Sequence, residues 1–306
     1  MKRIIYIVAA MFMALNLSAQ TSDKYEQRYD LLLSQFGPAG VGIETVLDKW
    51  ESVDSTNAKM LYARFNYLFT KAQTNAVVTR PERKYLGMEP LLNLKDSLGN
   101  DVFYYQVNEF NDQLYAQAVK TIDRTISLYP DRLDYRFVKA NAYIAYEKES
   151  PDMALACLLD LADRYSDRKG RWTYDGEKVD DAFFTDAMQE YCYSFYSIGT
   201  PSSLDAFLGL SQKMLQLYPD NSGFLSNIGS YHMLAKQDYK TALKYYSKVL
   251  KKKQDDYTAI KNSALAARKL NNRKLEMKYL KMLVEHGPEK EKVVAESRLK
   301  VLENRS

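Results

Sequence analysis

Along most of this chain apolar residues recur at the three-to-four spacing of a buried helix face, and short polar clusters or prolines interrupt the pattern. The spacing predicts helices over Gly42–Val53, with Trp50 inward, over Asn57–Lys71, and over Asn111–Tyr129, with Tyr115, Ala118 and Ile122 on one face. A further helix is expected from about Glu289 to Leu302. Two stretches depart from the helical period. Leu91–Lys95 and Val102–Gln106 are alternating, β-branched or aromatic segments around a glycine-containing turn, the pattern of either a β-hairpin or an ordered polar loop. Arg168–Val179 contains Asp175-Gly176, a hairpin-type dipeptide.

The first residues follow another logic. Lys2 and Arg3 precede an apolar run from Ile4 to Leu17 and then Ser18-Ala19-Gln20, which is the layout of a secretory leader. The run is too short for a transmembrane helix of roughly 20 residues. Cleavage near Ala19 is expected, with no lipid-anchor cysteine after it, and the product would be periplasmic or secreted. Residues 1–19 would be the leader, and no transmembrane segment is expected in the mature chain.

Two hexapeptides recur almost unchanged: Ser127-Leu-Tyr-Pro-Asp-Arg132 and Gln216-Leu-Tyr-Pro-Asp-Asn221. In each, proline follows the last apolar position and stops a helix, because it cannot continue the hydrogen-bond ladder. Taking Pro130, Ser166, Pro219, Gln254 and Pro288 as equivalent stops, the intervals are 36, 53, 35 and 34 residues. Three agree, and one insertion accounts for the fourth.

This period, and the residue types within it, resemble the tetratricopeptide repeat, in which two antiparallel helices, A and B, form each unit. Ala140 and Tyr143 take the small and aromatic places of one helix A, with Ala154 and Leu158 in its helix B. Leu225, Ile228 and Gly229 match another helix A, followed by Tyr239, Ala242 and Tyr246 in helix B, displaced by one residue. In the unit from Tyr257, Ala264 holds the small position, but Glu276 stands where alanine is expected, which suggests a terminal unit with looser packing. The resemblance implies an all-α fold, an α-α superhelix of tetratricopeptide-like units with one or two short β-hairpin insertions. The expected organisation is N-terminal helices and a hairpin insertion over 20–110, repeats over 111–288 interrupted at 168–180, and a capping helix over 289–306.

Composition supports helices, since glycine and proline number 12 and 8 in 306 residues and so provide few breakers. The net charge of +4 falls to +2 without Lys2 and Arg3, and it hides an asymmetry. Residues 236–306 hold 19 Lys and Arg against 9 Asp and Glu, or +10, so residues 20–235 carry −8. Such a tail is either simple solvation or a contact for an anion; for an exported protein nucleic acid is not the expected one.

The chemistry on offer is sparse. His232 and His286 are too few and too far apart for a metal cage or a triad, and His286 falls where an imidazole suits a helix end. Asp180-Asp181 and Asp255-Asp256 lie at apparent helix starts, where capping is the expected job. No catalytic residues, metal site or cofactor are expected. Cys157 and Cys192 are either a disulfide, which an oxidising compartment permits, or two separate thiols. Partner-binding candidates come from two sources. Trp172 and Tyr174 beside Arg168 and Arg171 would present aromatic and guanidinium anchors, unless the hairpin tucks Trp172 against the helices. From the resemblance comes a groove lined by helix A, where Asn141, Asn227, Lys261 and Asn262 lie. The reading is an exported adaptor for a protein or peptide of the cell envelope, not an enzyme. Its alternatives are a glycan-binding accessory and, remotely, a hydrolase.

Overall fold

A computed structural model describes residues 22–304, so the leader expected over 1–19 lies outside the described residues. The described chain is mostly helical, with thirteen helices, consecutive helices packing as tetratricopeptide-like pairs, and two short β insertions along the chain. It divides into two compact units.

Unit 1 runs to Tyr85, resumes over Glu89–Tyr146 and takes in Gly170–Lys178. Helix α1 spans 22–36 and α2 spans Ile43–Val53. Trp50 of α2 is fully buried, and its indole Nε1 donates to Ser22 Oγ at 2.8 Å, so the one polar atom of the ring is satisfied inside the core. Helices α3 (Ala58–Lys71) and α4 (Asp112–Leu128) begin alike, each capped by an asparagine. The Asn57 and Asn111 side chains accept the N–H of Met60 and of Leu114, both at 3.0 Å. Met60, Leu61, Ala118 and Ile122 join Trp50 in one core, so α3 and α4 pair as helices A and B although some forty residues separate them.

Those residues form a sheet. Strands β1 (Gln73–Arg80), β2 (Leu92–Lys95) and β3 (Asp101–Phe110) are antiparallel in the order β1-β3-β2, with Gln73 opposite Phe110 and Leu92 opposite Tyr104. Hairpin β2–β3 turns at Asp96, whose carboxylate accepts the N–H of Leu98 and of Asn100, and Gly99 supplies φ +85°. Strand β1 is additional to the expected hairpin. The Asn111 N–H donates to Ala72 O at 2.8 Å, closing the base of the insertion so that α4 starts beside the end of α3. Helix α5 spans Leu133–Glu147, its last residue falling in unit 2. Strands β4 (Thr173–Tyr174) and β5 (Glu177–Lys178) form the second hairpin, and Asp175 and Gly176 both take positive φ, as a two-residue hairpin turn requires.

Unit 2 contains Leu86–Met88, Glu147–Lys169 and the chain from Val179 onward. Its helices are α6 (Asp152–Asp167), α7 (Asp181–Ile198), α8 (Pro201–Leu217), α9 (Ser222–Leu234), α10 (Tyr239–Lys252), α11 (Tyr257–Lys269), α12 (Arg273–His286) and α13 (Glu289–Glu303). From α7 onward each packs on its successor. The need for a small residue facing a large one is explicit at Gly229. A Cβ there would lie 2.8 Å from Cε1 of Tyr246, a fully buried ring, so only glycine lets α9 approach α10 this closely.

The two Leu-Tyr-Pro-Asp segments build one turn twice, once in each unit. Tyr129 ends α4 and Tyr218 ends α8; the tyrosine N–H bonds the carbonyl four residues back, Thr125 O at 2.9 Å and Met214 O at 2.8 Å. Three residues on, Arg132 N–H and Asn221 N–H return to the tyrosine carbonyls at 3.2 and 3.1 Å. At the last pair one expectation is overturned. Glu276 is buried, and its carboxylate receives Arg298 of α13 at 2.8 Å (Nε to Oε1) and 3.4 Å (Nη2 to Oε2). The departure from alanine is therefore not loose packing: it is the anchor of the final helix.

Candidate partner-binding site

The residues proposed for a helix A groove are mostly engaged in packing. Asn227 of α9 is buried and exchanges two amide hydrogen bonds with Gln189 of α7, both at 3.0 Å, and donates to Ser211 Oγ at 3.2 Å. Lys261 of α11 pairs with Glu291 at 2.6 Å and donates to the Tyr257 hydroxyl at 3.2 Å. Asn262, half-buried beside it, bonds Tyr246, whose hydroxyl also meets Ser230 Oγ at 3.0 Å; burial pushes that phenol up to about 12. A ligand would have to replace these bonds rather than add to them, which leaves little net gain. Asn141, on α5 of unit 1, is exposed.

The second hairpin is docked inward. The Thr173 N–H donates to Asp131 O at 2.9 Å, just after the first Leu-Tyr-Pro-Asp turn, and Arg132 bridges to Thr173. Trp172 is 1% exposed, with the Arg136 guanidinium 5.4 Å from its ring centroid. It is a core residue of unit 1, so of the two arrangements open for this hairpin the chain adopts the one with Trp172 tucked in and not the aromatic platform: burying the ring removes far more apolar area from water than a two-stranded ribbon could shield alone. Tyr174 remains 41% exposed beside Phe137 at 6.2 Å, and Arg171 is exposed. Arg168 is half-buried and belongs to unit 2.

Cys157 and Cys192 are not joined in a disulfide. Cys192 is fully buried against Ser211 Oγ at 3.4 Å, and desolvation pushes its thiol up to about 12, which makes it a poor nucleophile. Asp180 and Asp256 cap α7 and α11, accepting the N–H of Phe183 and of Ala259 at 2.9 Å each. His286 closes the last turn of α12. His232 lies against Tyr245 at 6.0 Å in a stacked arrangement. Among the described residues no group of three or more His, Cys, Asp and Glu could hold a metal ion. No helix there is long and apolar enough to cross a membrane.

What the fold does bring together lies at the C-terminal end of unit 2. A cavity of about 740 Å³ is lined by Arg268, Lys269 and Asn271 at the end of α11, Arg273 and Glu276 of α12, and Arg298 and Leu302 of α13. It holds four cations, and its single carboxylate is already paired with Arg298. A second cavity of about 720 Å³ lies along α12 itself, between Lys274, Lys278 and Lys281, with Leu275 and Met277 on its wall. Apart from Glu276, which the repeat pattern marks as a departure from alanine, none of these residues stands out in the sequence, although the excess of cations beyond position 236 carries the signal.

No protein family's sequence profile matches this chain, and no curated protein does. Among solved structures, the crystal structure of the MamA protein is similar over 57% of this chain and 84% of that one, at 14% identity and a TM-score of 0.38. A likeness at that level says nothing about function.

Proposed function

We propose that this chain is a helical-repeat adaptor that holds a protein or peptide partner and acts in the cell envelope after removal of its leader. The supporting observation is the pair of cavities flanking α12, which offer cations and apolar walls to side chains from outside, while Asn227 of α9 and Lys261 of α11 are already bonded to Gln189 and Glu291. Repeats of this kind stack to form extended surfaces, and a partner segment laid over such cavities would bury its side chains there. Export is supported by the charged, apolar and small-residue layout of residues 1–19. The test is crosslinking in living cells followed by mass spectrometry and fractionation. A reproducible protein partner in the envelope fraction is expected; a chain that crosslinks to nothing, or that remains in the cytoplasm, would overturn the reading.

A further inference from the structure

We infer that the lysine-bearing faces of α10 and α12 form one docking surface for an acidic polypeptide segment that also carries apolar side chains, an inference that rests on the adaptor reading. On α10, Lys240, Lys244, Lys248 and Lys251 follow one another at intervals of four, four and three residues; on α12, Lys274, Lys278 and Lys281 do so at four and three. These spacings place each set on one face of its helix, and all seven side chains are exposed. Lys240 and Lys274 are 34 residues apart, as are Lys244 and Lys278, and Pro288 follows the stop at Gln254 by the same interval. The same two positions are thus filled by lysine in successive B helices.

The cations here differ from others in the same unit. Lys213 pairs with Asp163, Lys252 with Asp220 at 2.5 Å and Lys261 with Glu291 at 2.6 Å. Among the described residues none of the seven ladder lysines has an ion-pair partner. Like charges one turn apart repel and weaken their own helix. Bound carboxylates would relieve that repulsion, and the ladder needs no rearrangement to receive them.

Charge alone would suit any polyanion; the apolar wall narrows the class. Leu275 and Met277 are half-buried between the α12 lysines, in a recess of about 720 Å³, where the adaptable thioether can conform to an inserted aliphatic group. A face that lies on a bilayer projects large apolar side chains into it beside its lysines. Among the described residues neither α10 nor α12 has an exposed large hydrophobic residue. A recess flanked by ammonium groups fits an acidic segment with leucine-like side chains.

Fluorescence anisotropy on the full chain tests this with a labelled peptide of about twenty Glu and Leu residues, polyglutamate of equal charge, and phosphatidylglycerol vesicles. The Glu/Leu peptide should bind more tightly than polyglutamate, and in a salt-dependent manner. A K240Q/K244Q/K274Q/K278Q variant should weaken it by about tenfold or more, with circular dichroism unchanged and the melting temperature not lowered. M277S should weaken the peptide and leave polyglutamate unaffected. Equal affinity in the quadruple variant, equal affinity for polyglutamate, or stronger binding to the vesicles would each overturn the proposal. So would self-association by sedimentation that the quadruple variant abolishes, since a second copy would then be the occupant. If the variant keeps the partner crosslinked in cells, this surface is wrong and the adaptor reading stands. If the unaltered chain crosslinks to none, the adaptor reading itself fails.

Discussion

Cations in unit 1 and cations on the last B helices of unit 2 occupy similar helices and do different work. Arg64 of α3 reaches Asp48 at 2.6 Å, and Arg124 of α4 joins Glu51 at 2.8 Å and the Ser55 carbonyl at 2.7 Å; these tie α3 and α4 to the α2 end of the same core. Lys59 bridges Glu26 and Asp30 in the same manner. Among the described residues the seven ladder lysines of α10 and α12 join no carboxylate, and Lys248 and Lys278 lie only over the rings of Tyr245 and Tyr279 on their own helices. The difference teaches that a charge excess read along the chain separates, once folded, into charge that is part of the architecture and charge held out to solvent. Only the second kind is free to recognise something else.

That contrast can be broken or sharpened by substitution. The largest effect is expected from W172A, which empties a fully enclosed site beneath Arg136 and should cost about 3–5 kcal/mol, read by urea denaturation of the full chain. Next is R298A. It strands the Glu276 carboxylate, 6% exposed, without its partner, and about 3 kcal/mol of stability should be lost together with the attachment of α13. G229A should follow at about 1–3 kcal/mol, because the added methyl would lie 2.8 Å from Cε1 of the fully buried Tyr246 ring, so the ring or the helix must shift.

The Lys261–Glu291 pair gives a smaller, pH-dependent effect. The ammonium holds the Glu291 carboxyl below its usual range, so its contribution is complete above the ordinary glutamate pKa and is lost as pH falls through the lowered value. An acid titration of the melting temperature should show a fall that E291Q lacks. The least effect on stability belongs to the ladder variant K240Q/K244Q/K274Q/K278Q, whose melting temperature should stay level or rise slightly. A marked fall would show that these lysines are structural after all and would erase the comparison.

Much of the fold was legible because the physics that builds it is local. Asparagine and aspartate caps, proline stops and a 34-to-36-residue period are written in consecutive residues, and they mark α3, α4, the pair α5 and α6, and the helices from α9 to α13; α7 and α8, inside the one irregular interval, are not assigned residue by residue. Strand β1 escaped because Gln73-Thr74-Asn75-Ala76 shows no alternation of apolar and polar types and follows α3 without a breaker. The cap of α6 escaped for a related reason: Glu147 accepts the N–H of Met153 and of Ala154 from six and seven residues back, a reach that no short capping pattern encodes.

The candidate site was less legible. Asn227, Lys261 and Asn262 were placed on the right helices, but a sequence shows which residues can form hydrogen bonds and not which are already satisfied. Trp172 illustrates the same limit, since the turn dipeptide predicts the hairpin while its docking depends on Asp131 and Arg136, some forty residues away. The lysine ladders were visible as composition only. Their recess needed the packing of α12 to be seen.

The most direct test of the account is to place a photo-crosslinking amino acid, one position at a time, at Met277, Asn141 and Tyr174 of the full chain in living cells. A protein adduct at 277 that the ladder variant loses is expected, with none at 141 or 174. Adducts at 141 or 174 with 277 silent would contradict it.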